Sequence, residues 1–183
     1  SFTGGTTTGA HIASIAAPKF KKLSLELGGK NPALVFADCD FDNTVAQVVR
    51  SSFANQGQIC LCSSRIYVQR AIYDKFRDAF VAKVKALKVG DPLTEGIAQG
   101  AVVSQAHMDK VLGYIELAKK EGGECLTGGG RTQLEGRCKD GFFIAPTVIE
   151  GLNIHHRANQ EEIFGPVATI QPFDTDEEAM AYF

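Results

Sequence analysis

Five large apolar residues, Ile72, Phe76, Phe80, Val84 and Leu87, follow one another at intervals of 4, 4, 4 and 3. Only an α-helix gathers that spacing onto one face, and so wide an apolar stripe has to pack against a core. The stripe follows Arg65–Gln69 at once, where Ile66 and Val68 alternate as they would in a strand. This strand-then-helix unit recurs. Lys22 to Leu27 and Ala33 to Ala37 read as short strands on either side of Gly28-Gly29. Asp38, Asp40 and Asp42 then offer caps and favourable charge to a helix whose apolar face is Val45, Val48, Val49 and Phe53. Ser104 is placed to cap another, with Met108, Val111, Leu112 and Ile115 as its stripe, and His107 near its start is expected to be a surface or capping residue. Phe142–Ile149 is strand-like but interrupted by Pro146, residues 151–160 are polar and irregular, and Val167–Phe173 is a strand. Thr175 and Glu178 form a capping-box pattern for a last helix. Strands alternating with helices predict an α/β fold with a largely parallel sheet.

Several function classes fall away on composition. With 19 basic and 21 acidic residues in 183, the net charge is −2 and no polycationic face for nucleic acid is implied. No apolar run approaches the roughly 20 residues that span a bilayer, so no membrane partner is expected. The five cysteines, Cys39, Cys60, Cys62, Cys125 and Cys138, are odd in number and fit no disulfide framework. A reducing, cytoplasmic setting is the expectation. Cys60 and Cys62 form a C-x-C pair, but no second pair at zinc-ligand spacing follows, so no metal site is expected. The first residue is not Met and the last residues are an unfinished helical pattern. The sequence therefore reads as a fragment of a longer protein.

Two stretches carry chemistry. Phe53 to Arg65 reads FANQGQICLCSSR and offers Cys60 on a loop rich in uncharged hydrogen-bonding residues, with Gly57 suited to a tight turn. A lone cysteine is usually a small buried hydrophobe. A loop free of carboxylates, however, favours a thiolate nucleophile. Leu25 to Asn31 reads LELGGKN, and Glu26 between two leucines is expected to be partly desolvated and so inclined to act as a general base. Gly28-Gly29 permits a close approach of the backbone. Lys30 is expected to be a structural partner rather than a proton donor.

LELGGKN and FANQGQIC resemble the glutamate and cysteine signatures of the NAD(P)-dependent aldehyde dehydrogenase superfamily, and FTGGTTTG (residues 2–9) and EEIFGPV (161–167) agree, all four in the family's order. The resemblance runs nearly the whole chain. It implies an aldehyde dehydrogenase-like α/β fold, with residues 1–27 the tail of the dinucleotide-binding domain and 28–183 most of the catalytic domain. It implies Cys60 as nucleophile and Glu26 as water-activating base. Gly4, Gly5, Leu27, Glu162 and Phe164 would hold the nicotinamide end of NAD, or of NADP. Gly5 stands where many members carry serine, so no hydroxyl is offered there. Read without the resemblance, EEIFGP is a turn bearing two solvated acids. The implied partners are a small-molecule aldehyde and, for the parent protein, further copies of itself. Around the shared motifs, KLSLELGGKNP and RSSFANQGQICLC are similar to the muconic semialdehyde dehydrogenases. Alternatives are a dehydrogenase that passes its thioester to coenzyme A, or a truncated, non-catalytic product. The 183 residues alone are expected to be inactive.

Overall fold

The computed structural model describes residues 1–182. Strand β1 (Phe2–Thr3) leads through Gly5 into α1 (Thr6–Ala16), and β2 (Leu25–Glu26) returns parallel to β1, with Thr3 opposite Glu26. Then follow β3 (Asn31–Val35), α2 (Phe41–Phe53), β4 (Ser63–Gln69), α3 (Tyr73–Lys85) and α4 (Gln105–Lys120). The chain continues through β5 (Glu124–Thr127), β6 (Thr147–Glu150), the one-turn α5 (Arg157–Gln160), β7 (Val167–Phe173) and α6 (Asp176–Ala181). The second sheet has the order β3-β4-β7-β6-β5, in which only β5 runs antiparallel.

Both faces of this sheet are covered. Side chains alternate along a strand, so neighbours go to opposite layers. Ile66, Val68, Ala168 and Ile170 pack with Val45, Val48, Val49 and Phe53 of α2 and Phe76, Phe80 and Val84 of α3. On the other face Ile149 and Val167 pack with Met108, Val111 and Ile115 of α4, while Tyr67 and Phe173 meet Ala179 of α6. Arg65, Ile66, Tyr67 and Val68 are consequently all buried, as central parallel strands are. The helical stripes read from the sequence are the faces that pack.

Some strand and helix limits differ from the sequence reading. β3 starts two residues earlier than expected, at Asn31, and accommodates Pro32 because it is an edge strand with a register shift between Asn31 and Pro32. β6 begins only after Pro146, which has no N–H to give to a ladder. The 151–160 stretch is not wholly irregular: the His156 side chain accepts from Ala158 N (3.0 Å) and starts α5. α1 begins at Thr6, five residues before the expected His11.

Candidate active site

α2 ends at Phe53, and the chain reverses through a 3-10 turn in which Asn55, Gln56 and Gly57 are all left-handed (φ 49°, 57° and 68°). Gly57 is required there twice over. Its φ is positive, and a Cβ on it would lie 2.1 Å from the Gly165 carbonyl oxygen. The turn is pinned from outside as well: Gln99 Nε2 donates to Phe53 O (2.8 Å), and Gln58 Oε1 accepts from Val103 N (3.1 Å). Cys60 is exposed on this fixed loop. Cys62 lies buried beneath it, its Sγ directed at Ala54 O, and burial raises its pKa. The two thiols of the C-x-C pair thus differ, one exposed and one buried. Among the described residues no group of three or more His, Cys, Asp and Glu is arranged to hold a metal.

The other three motifs converge on the same loop. Gly4 N donates to Glu26 O (2.9 Å), which ties the first glycine turn to β2. Asn31 Nδ2 donates to Cys60 O (2.5 Å), so LELGGKN holds the peptide of the cysteine itself. Glu162 Oε1 accepts from Gly29 N (3.1 Å), and a Cβ on Gly28 would stand 2.1 Å from Glu162 Oε2. The close approach expected at Gly28-Gly29 is therefore to the Glu162 carboxylate. Phe164, left-handed at φ 60°, forms the corner that turns this acid inward.

A cavity of about 420 Å³ opens where these pieces meet. Cys60, Glu26, Gly4, Gly5, Leu27, Glu162 and Phe164 all line it, so the residues singled out from sequence share one space. Glu26, however, is exposed rather than desolvated by its leucines. Leu27 packs instead beside Gly9, where a Cβ would meet its Cδ2 at 2.5 Å. The two acids of EEIFGP also part company. Glu161 is bound by Arg157 Nε (2.7 Å) and by the Tyr114 hydroxyl, and chiefly the Arg157 hydrogen bond holds its pKa down to about 2. Glu162 alone faces the cavity.

Four residues were given no such role by sequence. Asn31 is one. His107, expected at the surface or in a cap, lines the cavity: its backbone N–H is the capped group, bonded to Ser104 Oγ (3.2 Å), while its ring Nε2 lies 2.6 Å from Phe164 O. Lys110, one helical turn on, donates to Glu162 O (2.9 Å). Their i, i+3 spacing beside the Met108–Val111 stripe looks the same as any solvated helix face, so no sequence signal marks them. The fourth is Lys30, expected to be a structural partner. Its Nζ is buried and, among the described residues, has no hydrogen-bond partner. Burial, then the neighbouring Arg65, pull its pKa down to about 7, with Lys110 adding to the fall and Glu162 and Glu161 opposing it. Arg65 donates to the Lys30 carbonyl (Nη2···O 2.7 Å) and so stands as a second cation near the amine.

The chain is similar to known proteins over nearly its whole length. The sequence pattern of the Aldehyde dehydrogenase family matches residues 1–183. The chain is 48% identical over 182 residues to the 2-aminomuconic semialdehyde dehydrogenase of Mus musculus, covering 98% of this chain and 37% of that protein. It is 43% identical over 181 residues to the 4-trimethylaminobutyraldehyde dehydrogenase A of Danio rerio, covering 98% and 36%. Its fold superposes with a TM-score of 0.94 on a crystal structure of the betaine aldehyde dehydrogenase of Staphylococcus aureus in complex with NAD+, at 41% identity over 99% of this chain and 36% of that one. The chain thus spans a little over a third of the length of the relatives it matches. The matched pattern covers every element from the first glycine turn to the Glu162 corner, and on that ground the chain belongs to the aldehyde dehydrogenase family.

Proposed function

We propose that, within a protein of its relatives' full length, this chain carries the nucleophile and base of an enzyme that oxidises an aldehyde to a carboxylic acid with NAD or NADP. The observation that carries the reading is the single cavity where exposed Cys60, on a loop fastened by Asn31 and Gly57, meets Glu26. Cys60 Sγ attacks the carbonyl carbon, and the Cys60 backbone N–H offers one donor to the resulting oxyanion. When bound, the dinucleotide supplies the hydride acceptor that turns the Cys60 thiohemiacetal into a thioester. Glu26, open to solvent, takes a proton from water, which hydrolyses that thioester and frees the thiol.

The cavity suits the nicotinamide end of such a cofactor. A Cβ built on Gly5 meets nothing within 4 Å, so space is open at that wall. Glu162 offers acceptor oxygens to ribose hydroxyls, Lys110 and His107 hold the Glu162–Phe164 corner in place, and Gly4, Gly5 and Leu27 offer a small, partly apolar surface to a ring. Its solved relative's complex with NAD+ supports the same cofactor here. The relatives' named substrates include a semialdehyde acid and two trimethylammonium aldehydes, and the similarity of 48% favours a muconic-type semialdehyde.

The test is formation of reduced cofactor by the full-length protein, with Cys60→Ala and Glu26→Gln alongside. Cys60→Ala should lower turnover roughly a thousandfold or more while cofactor still binds. Glu26→Gln should give a burst of reduced cofactor followed by slow turnover, because only hydrolysis is impaired. Full activity in Cys60→Ala would remove the covalent mechanism and the site assignment together.

A further inference from the structure

The packing face of α2 consists of Val45, Val48, Val49, Ser52 and Phe53. Ser52 alone among them is polar. It is 2% exposed, and among the described residues its Oγ has no hydrogen-bond partner. A helical serine can satisfy itself at the carbonyl four residues back, and its neighbour Ser51 is bonded to Ser63 Oγ (2.9 Å). Ser52 does neither. A buried hydroxyl without a bond is unfavourable, and protein interiors usually answer one with a protein group or an ordered water. Ser52 lines a small cavity of about 20 Å³ behind the nucleophile loop. Cys62, Ser64 and Glu162 are further polar residues in its wall. It shares Ile59, Cys60, Glu162 and Phe164 with the first cavity, so Cys60 belongs to the partition between the two. A water needs roughly 10–15 Å³ and about two to four polar neighbours, and this space offers both.

We propose that this small cavity is a binding site for one ordered water, held by Ser52 Oγ, and that Ser52 acts through it as a positioning residue for Cys60. This rests on Cys60 being the nucleophile as set out above. One hydrogen bond ties the water to the Ser52 hydroxyl, and a second runs from the water to the Cys60 sulfur once the thiol has lost its proton. That bond arrives from the cavity that Glu26 does not line. A hydrogen bond to the charged form favours that form, so the thiolate is supported without a further charge in the site. The titratable residues around Cys60 are Glu26, His107, Lys110 and Glu162 in the first cavity and Cys62 in the second. Burial keeps Cys62 a thiol at neutral pH, and its Sγ is directed at Ala54 O, so it does not take the place of the water. A packing role for Ser52 alone predicts a change in stability and none in the chemistry of the thiol.

The experiment has two arms, both on the full-length protein. A crystal structure of the wild type should show one water within hydrogen-bond distance of Ser52 Oγ, and a structure of Ser52→Ala should show none at that place. Alkylation of Cys60 by iodoacetamide is then followed against pH in both proteins, with the modified cysteine identified by peptide mass. Ser52→Ala should slow the reaction at neutral pH about threefold or more and leave its limiting rate at high pH within about twofold, because only the thiolate fraction changes. A fall by the same factor at every pH would mean that the substitution merely moves the loop, and equal rates would mean that Ser52 does not reach the thiol. Either result overturns the positioning role. A wild-type crystal with no water at Ser52 Oγ overturns the site itself, whether or not the variant folds. Neither arm needs turnover. If Cys60→Ala kept full dehydrogenase activity, the nucleophile assignment would fall and the positioning role with it, while the water site would be decided by the crystal alone.

Discussion

Gly57 shows how narrowly single positions are constrained at this site. A methyl group there would stand 2.1 Å from Gly165 O on a backbone already at φ 68°. Gly57→Ala is therefore expected to destabilise the fold by about 2 kcal/mol or more, through αL strain and displacement of the EEIFGP corner, and urea denaturation would measure it. Lys30 makes a different prediction, one of pH. Its folded pKa of about 7 lies below the ordinary 10.5, so between those values the unfolded chain holds a proton that the folded chain has released. Stability contributed by this residue therefore rises with pH across that window. Lys30→Met should stabilise the protein by several kcal/mol near pH 6, with the gain shrinking above pH 7 and gone by about 10.5, as read from unfolding curves at several pH values. A flat difference across that range would mean the amine is solvated. Sequence marked Cys60, Glu26 and Glu162 because their chemistry is visible in residue type and motif. It could not mark Asn31 or His107, whose importance lies only in what they touch: Cys60 O and Phe164 O, 29 and 57 residues away.

Among the elements, α4 has two duties on two faces. Met108, Val111 and Ile115 pack into the sheet, while His107 and Lys110 hold the carbonyls of Phe164 and Glu162. Ser104 sets the start of this helix by accepting from His107 N, so the cap and the cavity share a residue. Ser104→Ala should cost about 1 kcal/mol of stability. It should also weaken cofactor binding more than an equally destabilising change remote from α4, a split readable from thermal unfolding with and without cofactor. The apolar stripe of this helix was legible because its 3.6-residue period is local. The start of β6 was less so: FFIAPTVI looks continuous as a hydrophobic run, and only the missing N–H of Pro146 stops the ladder from beginning sooner. β7 was read correctly, since all but one of its seven residues are buried and it is bounded by Gly165-Pro166 and Asp174.

At the scale of the molecule, the placement of β7 between β4 and β6 is what no local pattern announces, because it joins residues 65 and 169 across the chain. Arg65 is the side chain that spans this arrangement. Buried in β4, it donates through Nε (3.0 Å) and Nη2 (2.7 Å) to Lys30 O at the entry to β3, and through Nη1 (2.9 Å) to Tyr182 O just beyond α6. Arg65→Met would leave two carbonyls without donors and should cost about 3 kcal/mol. It would also remove a positive charge from beside the Lys30 amine, and with it part of the cause of that residue's lowered pKa. The two positions must then be coupled. At about pH 6 the stabilisation gained from Lys30→Met should be smaller in the Arg65→Met background than in the wild type, by about 0.5–1 kcal/mol in a four-protein urea cycle. Strict additivity would mean that burial alone depresses the lysine and that Arg65 acts on the fold only through the two carbonyls it binds.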